Sequence, residues 1–178
     1  SERAKQVRSL ILDVVISTLN EKAGGGTKYI NRRDVNYLSA AITEENYRRH
    51  LTSAINKYVD GHHTMKYAQI TDYIYKAIFK ENAQEYKKIL KLQEKDVVRH
   101  TLYAEVLLVV SSFENGVAAE IEKRSCELGR MLSVEEVKEI VSQLAEQPMQ
   151  KPYLHDARTK MASRDLSLRD ALHQNIAE

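Results

Sequence analysis

The side chains in this sequence that could do chemistry are six histidines, one cysteine and several clusters of lysine and arginine. Histidine ligates metals and moves protons near neutral pH. His62 and His63 are adjacent in a polar stretch, where two imidazoles are ordinarily solvated. The chain has no His-Glu-x-x-His helix, no cysteine pair and no aspartate-rich calcium loop. No metal and no cofactor is therefore expected. Arg169 and His173 lie four residues apart, on one face of a helix. A base beside a phosphate-holding cation is a nuclease arrangement, and His100 next to Arg99 is a second such pair. The first pair reads more simply as two polar residues on the wet side of a terminal helix, and no catalytic residue is assigned. Gly24-Gly25-Gly26-Thr27-Lys28 superficially has the composition of a phosphate loop. It lacks the preceding strand, the following helix and the residue order, and reads as a flexible connection. Cys126 is the only cysteine, so no intramolecular disulfide forms. It reads as a small residue in or near a helix. A free thiol points to a reducing compartment, here the cytoplasm.

The basic residues are the stronger candidates. Lys76, Lys80, Gln84, Lys87 and Lys91 step by three or four residues, continuing to Lys95, with Lys88 beside them. On a continuous helix over 66–95 they form one stripe, opposite Tyr73, Ile74, Ala77, Ile78, Tyr86, Ile89 and Leu90. If the chain instead turns at Lys80-Glu81-Asn82, the segment becomes a helix-turn-helix shape. Gln84, Lys87, Lys88 and Lys91 then lie on the outer face of its second helix, open to phosphates and base edges. Arg32-Arg33 and Arg48-Arg49 add two clusters. The bland alternative is a solvated lysine face. Net charge is only +2, yet residues 1–100 hold 18 Lys/Arg against 12 Asp/Glu, while residues 101–150 hold 4 against 9. A basic first part suits a polyanionic partner. The same asymmetry suits head-to-tail self-association. Eight of the ten tyrosines precede residue 90, which fits either interface or helix-packing use.

These side chains must be positioned by helices. Val7, Leu10, Ile11, Val14, Val15 and Leu19 recur at helical spacing and predict a helix over 2–21. Asn31 with Asp34 opens a second helix, and Thr43 before Glu44-Glu45 opens a third that ends near Asp60-Gly61. A helix from Asp96 to Leu128 carries Val98, Leu102, Val106, Val109, Phe113, Val117 and Ile121, with Gly129 as its C-cap. Ser133 and Glu136 form a capping box for a helix ending before Pro148. A last helix runs from about Ala157 to Ile176. Only Thr27 to Ile30 looks strand-like. The expectation is an all-α array of seven to eight helices with one long central helix. It reads either as an N-terminal lobe (1–61) joined to a C-terminal lobe (62–178) or as one continuous domain. No apolar run approaches the roughly 18 to 20 residues of a membrane span. Nothing near Ser1 resembles a cleavable leader.

Residues Ile70-Thr71-Asp72-Tyr73-Ile74-Tyr75-Lys76-Ala77-Ile78-Phe79, then Glu85-Tyr86-Lys87, Leu92, Arg99 and Glu105-Val106-Leu107, form a pattern. It resembles the helical region of phage- and plasmid-type regulators of the KilA-N and Bro class, and of related prokaryotic DNA-binding proteins. It covers about 60 of the 178 residues. Tyr29-Ile30-Asn31 with Asp34 is similar to the start of the KilA-N fold, whose β-rich remainder is not visible here. The resemblance implies a mobile-element or defence setting and a DNA partner, and it supplies no catalytic residues.

The expected function is therefore a non-enzymatic DNA-binding or regulatory protein. Arg32, Arg33, Arg48, Arg49, Lys76, Lys80, Gln84, Lys87, Lys88 and Lys91 would form its nucleic-acid face. The alternatives are a helical protein–protein interaction module or homodimeric adaptor, and a small helical nuclease. The expected partners are DNA, a second copy or another protein, and not a membrane.

Overall fold

Helical spacing in the sequence becomes buried stripes in the computed structural model, which describes residues 37–89, 92–95 and 97–165, with the isolated Arg8 and Ile11. The described elements are α1 (Tyr37–Tyr58), α2 (His63–Phe79), α3 (Ala83–Ile89), a 3₁₀ turn (Val98–Thr101), α4 (Ala104–Leu128), α5 (Val134–Ala145) and α6 (Lys151–Asp165). Val106, Val110, Phe113, Val117 and Ile121 bury one face of α4. That face meets Leu51, Ala54 and Ile55 of α1, and these two helices make the most extensive contact in the fold. Ile70, Ile74 and Ile78 of α2 extend the same core toward α5 and α6. Each fully buried aliphatic side chain contributes about 1.5–3 kcal/mol, so a continuous core of this kind stabilises the array without staples. Polar ties fix the register. His50 Nδ1 lies 2.7 Å from Asn115 Oδ1, the Tyr58 hydroxyl donates to Glu122 at 2.8 Å, and the Tyr67 hydroxyl donates to the Thr52 carbonyl at 2.9 Å.

Several expectations are corrected. Among the described residues there are six α-helices rather than seven to eight, and no single long helix is central. α1 has 22 residues and α4 has 25, and they pack as a pair. Thr43 does not start a helix, because its Oγ1 donates to the Ser39 carbonyl one turn back, at 3.1 Å, inside an uninterrupted α1. The expected helix from Asp96 is broken. Leu102 (ψ 144°) and Tyr103 (ψ 152°) are extended, so a 3₁₀ turn precedes α4. α6 begins at Lys151 rather than Ala157, since Pro152 is tolerated in a first turn, where no backbone donor is needed.

The KilA-N and Bro resemblance is also overturned. The described residues are helical and contain no strand, only an isolated parallel bridge between Val59 and Leu132. A largely β fold is incompatible with that. The matched pattern was a helical spacing, which any buried helix of this composition shows. Apart from Arg8 and Ile11, which are helical, the expected helix over 2–21 lies outside the described residues, as do the glycine run, the Asn31 cap and the Thr27–Ile30 stretch.

Other local readings match. α2 ends at Lys80, whose φ of 64° is left-handed and whose N–H donates to the Lys76 carbonyl. Asn82 and Glu85 then cap α3 reciprocally: the Asn82 N–H donates to Glu85 Oε2 (2.7 Å) and the Glu85 N–H to Asn82 Oδ1 (2.8 Å). Gly129 terminates α4 at φ 64°, and Ser133 with Glu136 forms the capping box of α5. No helix among the described residues is long and apolar enough to cross a membrane.

Candidate functional site

The turn at Lys80 decides where the predicted cations go. Lys76 is exposed in the last turn of α2. Lys80, one turn on, leaves the helical path and lines a hollow with Lys151, His155 and Arg158 of α6. Gln84 and Lys88 are exposed on α3, while Lys87 is half-buried and donates from Nζ to the Glu94 carbonyl at 2.6 Å. Lys87 lines a second hollow with Arg48 and Lys95. Arg48 also borders a groove between α1 and α2 that includes Arg49, His63 and Tyr67. There Arg49 pairs with Glu45 at 2.5 Å, and the His63 ring lies 4.9 Å from that of Tyr67. Arg48 and Lys87 are thus brought together, and Lys80 joins a different group. Arg32, Arg33 and Lys91 lie outside the described residues, as do Arg169, His173 and the side chain of His100. Cys126 is exposed on α4. Among the described residues no group of three or more His, Cys, Asp or Glu is placed to hold a metal ion.

The hollow beside α6 is about 340 Å³ and is built from three elements. α2 supplies Ala77 and leads to Lys80, the end of α5 supplies Ala145 and leads to Glu146, and α6 supplies Lys151, Pro152, Leu154, His155 and Arg158. Lys151 Nζ lies 2.5 Å from Glu146 Oε2. That hydrogen bond holds the Glu146 carboxyl below its ordinary range, and the charges of Lys151 and Lys80 lower it further. An Arg158 Nη2 lies 3.1 Å from His155 Nδ1. Three cations therefore face one carboxylate, over a floor of alanine, proline and leucine.

On the other side of the same first turn lies a groove of about 320 Å³ between α4 and α6, lined by Leu108, Val109, Ser112, Met149, Gln150 and Tyr153. Met149 is 81% exposed, Tyr153 64% and Leu108 43%. Pro148 and Pro152 bracket this segment, and the chain between them makes a turn that holds Met149 away from the core. Farther along α6, Lys160 pairs with Glu105 of the first turn of α4. That hydrogen bond holds the Glu105 carboxyl below its ordinary range. The pair ties the two walls together beyond the groove.

Beneath the Arg48 hollow sits a buried charge cluster that sequence reasoning missed. The Arg99 guanidinium donates to both carboxylate oxygens of Glu114, one at 3.1 Å, and to Glu44. The three side chains are nearly inaccessible, and the Tyr75 ring centroid lies 5.9 Å from Arg99 Cζ. Glu44 and Glu114 are 55 and 15 residues from Arg99, so no local spacing signals the contact. The groove residues carried a weak signal: Leu108 falls off the apolar stripe of α4, and Met149 lies between two prolines. No family model, curated protein or solved structure matches this chain.

Proposed function

We propose that this chain is a non-enzymatic helical protein–protein interaction module. Its partner is a short polypeptide segment with an apolar anchor flanked by acidic residues. The observation that carries this reading is the α4–α6 groove, where three large apolar side chains stand exposed together. Scattered surface apolar residues need no explanation, but a contiguous set lining a groove marks an interaction site. The occupant follows from charge and size. Lys80, Lys151 and Arg158 face a single carboxylate across the first turn of α6, so an acidic flank gains charge complementarity there. Three apolar side chains are a small face against the roughly 800 Å² per partner of a standard interface, which suits a peptide better than a second copy.

The expectation of nucleic-acid binding receives less support. Its described cations are divided among separate hollows, and Arg49 is paired with Glu45. Selection from a random peptide display library tests the reading. The expected sequences carry one or two apolar anchors beside Asp or Glu, and Met149→Asp or Tyr153→Asp should abolish their capture. Recovery of no such sequences, or peptides indifferent to both substitutions, would contradict it. So would duplex DNA binding more tightly than any peptide.

A further inference from the structure

The hollow over the buried Arg99 cluster is independent of the α4–α6 groove and has its own chemistry. It measures about 250 Å³ and is walled by α1, α2, α3 and the 3₁₀ turn. Arg48, Lys87 and Lys95 line it with Thr71 and the buried Tyr75. Tyr75 is 3% exposed. Among the described residues its hydroxyl has no hydrogen-bond partner, although a buried tyrosine hydroxyl ordinarily finds one. Arg99 does not complete it, because that guanidinium is engaged by Glu44 and Glu114. Burial raises the Tyr75 pKa, so the hydroxyl stays protonated and is available as a donor.

We propose that this hollow binds a phosphate dianion, free or as the terminal group of a small monoester, using Arg48, Lys87, Lys95 and the Tyr75 hydroxyl. A phosphate offers several acceptor oxygens and no obligatory donor, which matches a wall of cations and hydroxyls. The volume lies below the roughly 300–1,000 Å³ of sites for drug-sized ligands, so the ligand is phosphate-sized or slightly larger. Glu94 is the one acid on the wall among the described residues. It is exposed, and its backbone carbonyl already holds Lys87 Nζ at 2.6 Å.

A competing account is that the cations balance the buried cluster, which has one more carboxylate than guanidinium. Thermal unfolding and calorimetric titration of the full chain distinguish the two. The probes are inorganic phosphate and methyl phosphate, with chloride at matched ionic strength. A saturable rise in melting temperature with phosphate beyond that in chloride is expected. Tyr75→Phe and Arg48→Gln should each weaken binding about tenfold or more, as for a lost hydrogen bond to a charged acceptor. A response to both probes assigns a monoester site, and a response to inorganic phosphate alone a free-anion site. No response beyond chloride would overturn the proposal, as would equal affinity in the wild type and both variants. Arg48→Gln destabilising the chain equally in phosphate and chloride would also overturn it, in favour of the balancing account.

Discussion

The Arg99 cluster and the hollow beside α6 are built from the same kinds of side chain and put them to opposite uses. In the first, one guanidinium meets two carboxylates out of water, with bidentate geometry to Glu114. In the second, Lys80, Lys151 and Arg158 line one surface hollow whose one carboxylate among the described residues is Glu146, paired with Lys151. Burial makes the first set costly to disturb, because a removed partner leaves an uncompensated charge in a low dielectric. Exposure makes the second cheap to alter for the fold. What it loses is complementarity to something outside the chain. The contrast separates structural charge from recognition charge by two observable properties, burial and local balance.

Substitutions can break that contrast from either end. The largest effect is expected at Glu114. Glu114→Ala removes the bidentate partner and should destabilise the fold by about 3–5 kcal/mol, read as a lower urea midpoint, with peptide affinity preserved wherever the chain remains folded. A loss below 1 kcal/mol would mean that the cluster is hydrated. Next comes the double substitution Lys151→Glu and Arg158→Glu. It should leave the urea midpoint within about 0.5 kcal/mol of wild type, as surface changes usually do. It should also slow association of an acidic peptide by tenfold or more and flatten its salt dependence. An unchanged association rate would remove the hollow from the interface.

The pair Glu136–Arg130 is the intermediate case, exposed yet bidentate, at 2.6 and 3.0 Å. The Arg130 hydrogen bonds first, and then the Ser133 backbone N–H, hold the Glu136 carboxyl at about 2 against its ordinary 4.5. The folded value is depressed, so the stabilisation is fully present above pH 4.5 and is lost as pH falls through about 2. Amide exchange in the first turn of α5 should accelerate across that window and not in Glu136→Gln. Equal acceleration in both would show that the cap is not linked to the titration.

The sequence made the local devices legible. The Ser133–Glu136 box and the Gly129 cap each depend on residues within one helical turn, and the structure has both. The turn at Lys80 to Asn82 is one of two readings the sequence allows, and the structure takes it over a continuous helix. Thr43 misled because the same hydroxyl that can cap a helix can bond back inside one. The start of α6 misled because Pro152 reads as a breaker until its place in a first turn is known. Contacts across the fold were not legible. Arg99 finds Glu44 at a separation of 55 residues, and Lys80 reaches the α6 hollow only because α2 packs on α6. Lysines at helical spacing look like one stripe, yet one left-handed residue parts them.

The most direct measurement is a chemical-shift map of the isotopically labelled chain titrated with a peptide carrying an apolar anchor and an acidic flank. The account predicts the largest perturbations at Leu108, Val109, Met149, Gln150 and Tyr153, with smaller ones at Lys151 and Arg158. Perturbations centred instead on Arg48 and Lys87, or on the α1–α2 groove, would contradict it.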